Sequence, residues 1–201
     1  MNWVNIVSIA IGVLGLIGTL YFGRKSRLLV EKVRKFDWND IEAGVKYLSR
    51  AIERKFAPDI IVTTSAGSAS IVASLFISNT ERFIPFYCGI SKKLDASFTD
   101  EPQCEKFYTT ARWKTFIPDE VFRHKNARIL ILDDVTLSGD SLAQLIKLLV
   151  SNGVKRGNIY SASLFATDLS ITGNRAPDLY WYRISDTHFY FPWGKSTGKG
   201  Y

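Results

Sequence analysis

Along the chain, continuous apolar runs alternate with stretches whose apolar positions recur every three or four residues. The first run, Trp3 to Phe22 (WVNIVSIAIGVLGLIGTLYF), contains no charged residue. At 1.5 Å rise per residue, about twenty residues match the hydrocarbon thickness of a bilayer. The run therefore predicts one membrane-spanning helix over residues 3–22. Only Asn5, Ser8 and Thr19 interrupt it, whereas a core helix of a globular domain usually carries a broader polar stripe. Met1-Asn2 supplies no basic residue ahead of the run and Tyr21-Phe22 no small-residue cleavage site, so the pattern is not that of a removed signal peptide. Arg24, Lys25 and Arg27 follow at once, which puts the N-terminus outside and residues 24–201 in the cytoplasm of a single-pass inner or plasma membrane protein. Ser8 and Gly12 form one small-x-x-x-small pair, a spacing that permits two such helices to approach closely in a homodimer.

Beyond a basic juxtamembrane stretch at 24–36, Asp37 or Asn39 can cap a helix whose apolar face is Ile41, Val45, Leu48 and Ile52. Asp59 to Thr64 then reads as a buried strand, Ser65 to Ser70 as a small-residue turn, Ile71 to Ile77 as a helix and Arg82 to Ile90 as a second strand. Residues 91–118 are polar, without clear period and longer than ordinary connections, which predicts a lid or binding loop. Arg128 to Leu132 is a third apolar strand ending in two acids, and Ser141 to Val150 follows as a helix with Gly153 just past its end. Asn158 to Phe165 and Leu179 to Ile184 complete the strands, with Trp181 and Tyr182 read as core residues. Strands alternating with helices predict an α/β domain with a mainly parallel sheet covered on both faces, its ligands at the carboxyl ends of the strands. The expected organisation is an anchor at 1–23, the basic segment at 24–36 and one α/β domain at 37–201.

Composition narrows this picture. Lys plus Arg number 26 against 19 Asp plus Glu, a net charge of +7, and every cation lies after residue 23. The soluble part thus favours phosphorylated ligands or an anionic bilayer surface. A basic stripe interleaved with exposed aromatics is missing from the pattern, so nucleic acid is not the expected partner. Cys88 and Cys104 match neither a disulfide framework nor a zinc pattern, in keeping with a reducing compartment. Ser65, Ser68 and Ser70 lack a Gly-x-Ser-x-Gly context, and His124 and His188 are distant in sequence, so a serine nucleophile is not indicated.

The stretch Ile129-Leu130-Ile131-Leu132-Asp133-Asp134-Val135-Thr136-Leu137-Ser138-Gly139-Asp140-Ser141 carries the candidate chemistry. A buried strand delivers two carboxylates, and a hydroxyl-rich turn then opens a helix. Backbone N–H groups of the turn and helix start can surround a phosphate, with Thr136, Ser138 and Ser141 adding donors and Gly139 permitting close approach. Carboxylates have the wrong charge to bind that phosphate. They suit the vicinal hydroxyls of a ribose and a neighbouring cationic transition state. An apolar strand ending in acids also describes a Walker B strand, but no Gly-x-x-x-x-Gly-Lys-Ser/Thr loop accompanies it.

This segment resembles the phosphoribosyl pyrophosphate motif of the type I phosphoribosyltransferases, and the resemblance extends over most of residues 55–195. Phe56 to Gly67 looks like the first strand and pyrophosphate loop, and Arg112-Trp113-Lys114 onward like the end of the flexible loop. Pro177-Asp178-Leu179-Tyr180 and His188-Phe189-Tyr190-Phe191-Pro192-Trp193 look like the C-terminal hood of xanthine-guanine-type and hypoxanthine-type members. The resemblance implies a type I phosphoribosyltransferase fold with a small C-terminal hood. It also implies transfer of a 5-phosphoribosyl group from phosphoribosyl pyrophosphate to a purine-like base, as in purine salvage, with Mg²⁺ as cofactor. Asp133 and Asp134 would bind the ribose hydroxyls directly or through Mg²⁺. Thr136, Leu137, Ser138, Gly139, Asp140 and Ser141 would hold the 5′-phosphate, and Thr64, Ser65, Ala66 and Gly67 would face pyrophosphate. Phe189, His188 and Thr167 would meet the base, and Lys92, Lys93, Arg112 and Lys114 of the long loop would close over pyrophosphate.

Three positions depart from the family pattern. Leu137 stands where many purine members have an acid or another polar residue, Ala66 where a basic or bulky residue is common, and Thr167 where 6-oxopurine enzymes place a lysine. A second expectation therefore stands beside the enzyme: a non-catalytic sensor of a nucleotide or phosphoribosyl pyrophosphate at the membrane, an effector in a bacterial stress or defence system.

Overall fold

The computed structural model describes residues 34–94, 102–185 and 189–196. The predicted membrane helix at 3–22 and His188 lie outside the described residues. Among the described residues no helix is long and apolar enough to cross a membrane. The described residues form two compact units, one within 37–185 and a smaller one combining 34–36 with 189–196.

The described chain begins with a two-residue strand, β1 (Arg34–Lys35). Helix α1 (Trp38–Lys55) follows. Of its two candidate caps the chain uses Asp37, whose carboxylate accepts from Asp40 N at 2.9 Å while Asp40 accepts from Asp37 N at 3.1 Å. The predicted face Ile41, Val45, Leu48 and Ile52 is buried. The larger unit continues through β2 (Ile60–Thr63), α2 (Ser68–Ser78) and β3 (Phe86–Cys88). The expected strand at 82–90 is thus confined to its middle, because Pro85 has no N–H to offer a ladder.

Residues 91–118 differ more from expectation. Their described part is ordered secondary structure: β4 (Ile90–Lys93), β5 (Lys106–Thr109) and β6 (Trp113–Ile117) form an antiparallel sheet in the order β4-β6-β5. Lysines set between aromatic and β-branched residues obscure the two-residue alternation that builds it. Next come α3 (Glu120–Arg123), β7 (Ile129–Thr136), α4 (Asp140–Ser151), β8 (Ile159–Thr167), α5 (Asp168–Thr172) and β9 (Leu179–Ile184). Pro177-Asp178-Leu179-Tyr180, expected with the hood, leads into β9.

The main sheet has the order β3-β2-β7-β8-β9 and is parallel throughout. Alternation divides its central strands between two layers. Ile60, Val62, Ile129 and Ile131 join Leu142, Leu145 and Leu149 of α4 in one apolar cluster. On the opposite face α1 packs on β8, β9 and α2, and α2 packs on β7. Both faces being covered explains why β2 and the first half of β7 are buried at every position.

In the smaller unit β1 pairs parallel with β10 (Phe189–Phe191), which pairs antiparallel with β11 (Gly194–Ser196). Phe191 stacks on Phe36 and Trp193, with ring centroids 5.8 and 5.1 Å apart.

Gly44 marks the tightest approach of α1 to the sheet. A Cβ there would stand 2.5 Å from Trp181 Cε3 and 2.9 Å from Leu164 Cδ2. Alanine would gain about 1 kcal/mol of helix propensity, yet forcing these side chains aside costs about 1–3 kcal/mol. Gly44→Ala is therefore expected to lower the urea midpoint, and an unchanged or raised midpoint would show that Trp181 moves freely.

Candidate functional site

The expected strand Arg128–Leu132 continues to Thr136, so Asp133 and Asp134 lie within β7 and not beyond its end. Their exposure arises differently. β2 pairs with β7 only from Ile129 to Leu132, whereas β8 accompanies β7 on to Thr136. Past Leu132, therefore, β7 has lost the neighbour on its β2 side. The chain leaves β2 through α2 toward β3 and leaves β7 through α4 toward β8, so the gap lies at the topological switch point of the sheet.

Both acids are half-buried, and Asp134 N donates to Asp133 Oδ1 at 3.0 Å. Burial, followed by the charge and hydrogen bonding of Asp134, holds the Asp133 carboxyl well above the usual carboxylate range. A hydrogen bond from Thr64 and the Asp134 amide oppose this only in part. Thr64, the first residue after β2, thereby meets Asp133. Behind it, Thr63 Oγ1 donates to Ser65 O at 2.7 Å and Ser70 Oγ donates to Ala66 O at 2.9 Å and Gly67 O at 2.6 Å. Ser65 is half-buried and Ala66 and Gly67 are exposed, with Gly67 at the N-terminus of α2.

The turn after β7 is held from outside itself. Gly139 has φ 76° and is the N-cap of α4. A Cβ on it would lie 2.2 Å from Arg175 O, so the approach it permits is that of the Arg175 backbone. Ser138 Oγ donates to Asp140 Oδ2 at 3.0 Å and accepts from Asp140 N at 3.3 Å. The Arg175 guanidinium takes the other oxygen of Asp140, and Thr167 Oγ1 donates to Leu137 O. Leu137, Ser138, Asp140 and Ser141 keep partial exposure, while Thr136 is buried.

The sequence is similar to no protein-family model and to no curated protein. Solved structures do match. A purine phosphoribosyltransferase from Pyrococcus horikoshii aligns with TM-score 0.58 and 22% identity over 80% of this chain and 93% of that one. A hypothetical protein from Neisseria gonorrhoeae with bound ppGpp aligns with TM-score 0.60 and 17% identity over 80% and 89%. The xanthine-guanine-hypoxanthine phosphoribosyltransferase of Helicobacter pylori aligns with TM-score 0.54 and 17% identity over 80% and 92%.

The chain has the type I phosphoribosyltransferase fold.

Within this phosphoribosyltransferase fold two of the residues expected at the base are described, Thr167 in the larger unit and Phe189 in the smaller. Thr167 is buried and its hydroxyl is engaged with Leu137 O and with Ser170 N, which it caps at 3.3 Å. Phe189 belongs to the smaller unit, is 1% exposed and packs on Phe191 with centroids 4.8 Å apart. Lys114 lies over the rings of Phe107 and Phe116, at 4.4 and 4.8 Å, and Lys93 over Trp113 at 5.9 Å. These lysines of the expected lid thus rest on their own hairpin.

Asp133 and Asp134 offer two adjacent hard oxygen donors. Among the described residues no group of three or more His, Cys, Asp or Glu gathers. Mg²⁺ accepts one or two carboxylates and keeps several waters, and a cation would relieve the repulsion that raises Asp133. The donor set fits Mg²⁺.

Two site neighbours escaped sequence reading. Arg175, in a short loop before β9, grips Asp140 across 35 positions of sequence. Tyr108, on β5, is buried with a hydroxyl that has no hydrogen-bond partner, a state that costs about 1–3 kcal/mol. The signal for β5 was the pair Phe107-Tyr108-Thr109 and Trp113-Lys114-Thr115-Phe116 around a short polar turn.

The raised Asp133 pKa sets a pH dependence. A folded-state value above the unfolded one adds stability that is complete below the unfolded pKa of about 3.9 and is lost as pH rises through the folded value. Asp133→Asn removes this loss. In thermal unfolding the variant is expected to be more stable than the native protein at pH 8, with the difference vanishing below about pH 4. A less stable variant at pH 8 would contradict the assigned burial cost.

Proposed function

We propose that this chain is a membrane-anchored phosphoribosyltransferase, moving a 5-phosphoribosyl group from phosphoribosyl pyrophosphate to a purine-like base and releasing pyrophosphate. The observation that carries the reading is the convergence of Thr64, Asp133 and Asp134 at the switch point, directly ahead of the turn 136–141. In this reading the amides and hydroxyls of the turn receive the 5′-phosphate at the positive end of α4. The two carboxylates accept hydrogen bonds from the ribose diol. When the C1–oxygen bond to pyrophosphate breaks and a base nitrogen bonds to C1, positive charge develops on the sugar. Fixed negative charge beside it lowers the barrier. Bound Mg²⁺ would supply charge neutralisation for the leaving pyrophosphate. Thr64 to Gly67 face that group. Residues 3–22 anchor the enzyme and place the domain in the cytoplasm; this part rests on the apolar run and the cations after it.

One observation favours a second reading, a nucleotide sensor without turnover. The Neisseria gonorrhoeae structure holds ppGpp, and here the Thr167 hydroxyl is committed to Leu137 and Ser170. Titration of the full chain with phosphoribosyl pyrophosphate and a panel of bases, with products followed by mass, separates the two. Enzyme activity predicts pyrophosphate release that falls by about 10²-fold or more in Asp134→Asn. Equal turnover in that variant removes the catalytic reading, and tight binding with no turnover of any base supports the sensor.

A further inference from the structure

The hydroxyl of Tyr108 is a buried donor that the site described so far does not use. Its residue is 5% exposed, and the oxygen is enclosed without a hydrogen-bond partner. It is held there by packing: β5 lies against α4, and the ring shares an apolar cluster with Ile131, Leu142 and Leu145. Burial, aided by the charge of Asp133, pushes its ionisation up to about 12, and the hydroxyls of Thr115 and Ser141 offset part of that rise. The phenol is therefore protonated throughout the working range and sits beside two hydroxyls, without a well-formed bond to either.

The two neighbours are not equivalent. Thr115 is buried and its hydroxyl bonds to Ser91 Oγ at 2.9 Å, which in turn donates to Thr64 O at 3.3 Å. In that chain Thr115 gives its proton to Ser91, so a phenol proton received there would orient nothing toward a ligand. Ser141 is partly exposed in the first turn of α4, where amides and helix dipole favour an anion. A serine hydroxyl donates one proton and accepts through its lone pairs. A donor behind Ser141 therefore leaves its proton for a ligand in front.

We propose that Tyr108 is a positioning residue for the phosphate cup: with a phosphoryl group bound, its hydroxyl donates to Ser141 Oγ and turns the serine proton toward that group. The long hairpin then contributes to the site from beneath, through β5. This inference rests on the turn 136–141 being the phosphate site. It excludes direct contact between Tyr108 and ligand, since the phenol oxygen is covered.

The test is a double-mutant cycle on the full chain in detergent, titrated calorimetrically with ribose 5-phosphate and with inorganic phosphate. Tyr108→Phe is expected to leave the ligand-free melting temperature unchanged or raised, because it deletes an unpaired polar atom. It is expected to weaken both ligands about fivefold to tenfold, the size of one neutral hydrogen bond. In a Ser141→Ala background the same substitution should change nothing. Native protein that binds neither ligand would remove the phosphoribosyl reading and this inference together. Native protein that binds, with Tyr108→Phe binding equally well, would overturn the inference alone. So would a loss that persists in Ser141→Ala, or one that accompanies a lower ligand-free melting temperature.

Discussion

The site depends on a mismatch of length between two neighbouring parallel strands. β2 ends at Thr63, level with Leu132, whereas β7 runs on to Thr136 with β8 alone beside it. Up to Leu132 both faces of β7 are covered and both edges are paired, and an ionisable side chain there would carry an unmet desolvation cost. Past Leu132 one edge opens. Two carboxylates can stand there half-buried, and burial together with the neighbouring Asp134 raises the Asp133 carboxyl well above its ordinary range. The loop after β2 ends at the same level, which is how Thr64 reaches Asp133 across 69 positions of sequence.

The turn 136–141 keeps its shape through contacts made within the protein. It is braced by groups from later in the chain: Arg175 against Gly139 and Asp140, and Thr167 against Leu137. Bracing from two later segments fixes the turn. It also gives Gly139 a second reason to be glycine, since positive φ and the Arg175 backbone both forbid a side chain. Asp140, which looks like an ill-charged member of a phosphate site, is the anchor point for Arg175 and Ser138.

The long segment between β3 and β7 shows where pattern reading is weak. Antiparallel strands that cover one side of a domain alternate between core and solvent, and here the solvent positions carry Phe107 and Trp113 as readily as polar residues. Apolar residues on both faces blur the period, and lysines seated on aromatic rings look like a solvated charge run. β7 was legible for the opposite reason, because four consecutive apolar residues followed by acids admit few readings. The acids were expected past the strand end, and they lie inside it because β8 is longer than β2.

Local chemistry alone determined the alternation of helices and strands outside residues 91–118, a helix cap at Asp37 or Asn39, the parallel sheet and the pairing of carboxylates with a hydroxyl-rich turn. These follow from periodicity, backbone hydrogen bonding and burial, which act between residues near in sequence. The tertiary structure decided which groups meet: Thr64 with Asp133, Arg175 with Asp140, Thr167 with Leu137, and the phenol of Tyr108 with the first turn of α4. Such partners lie tens of residues apart, and their meeting depends on strand order and strand length, which one-dimensional pattern does not encode.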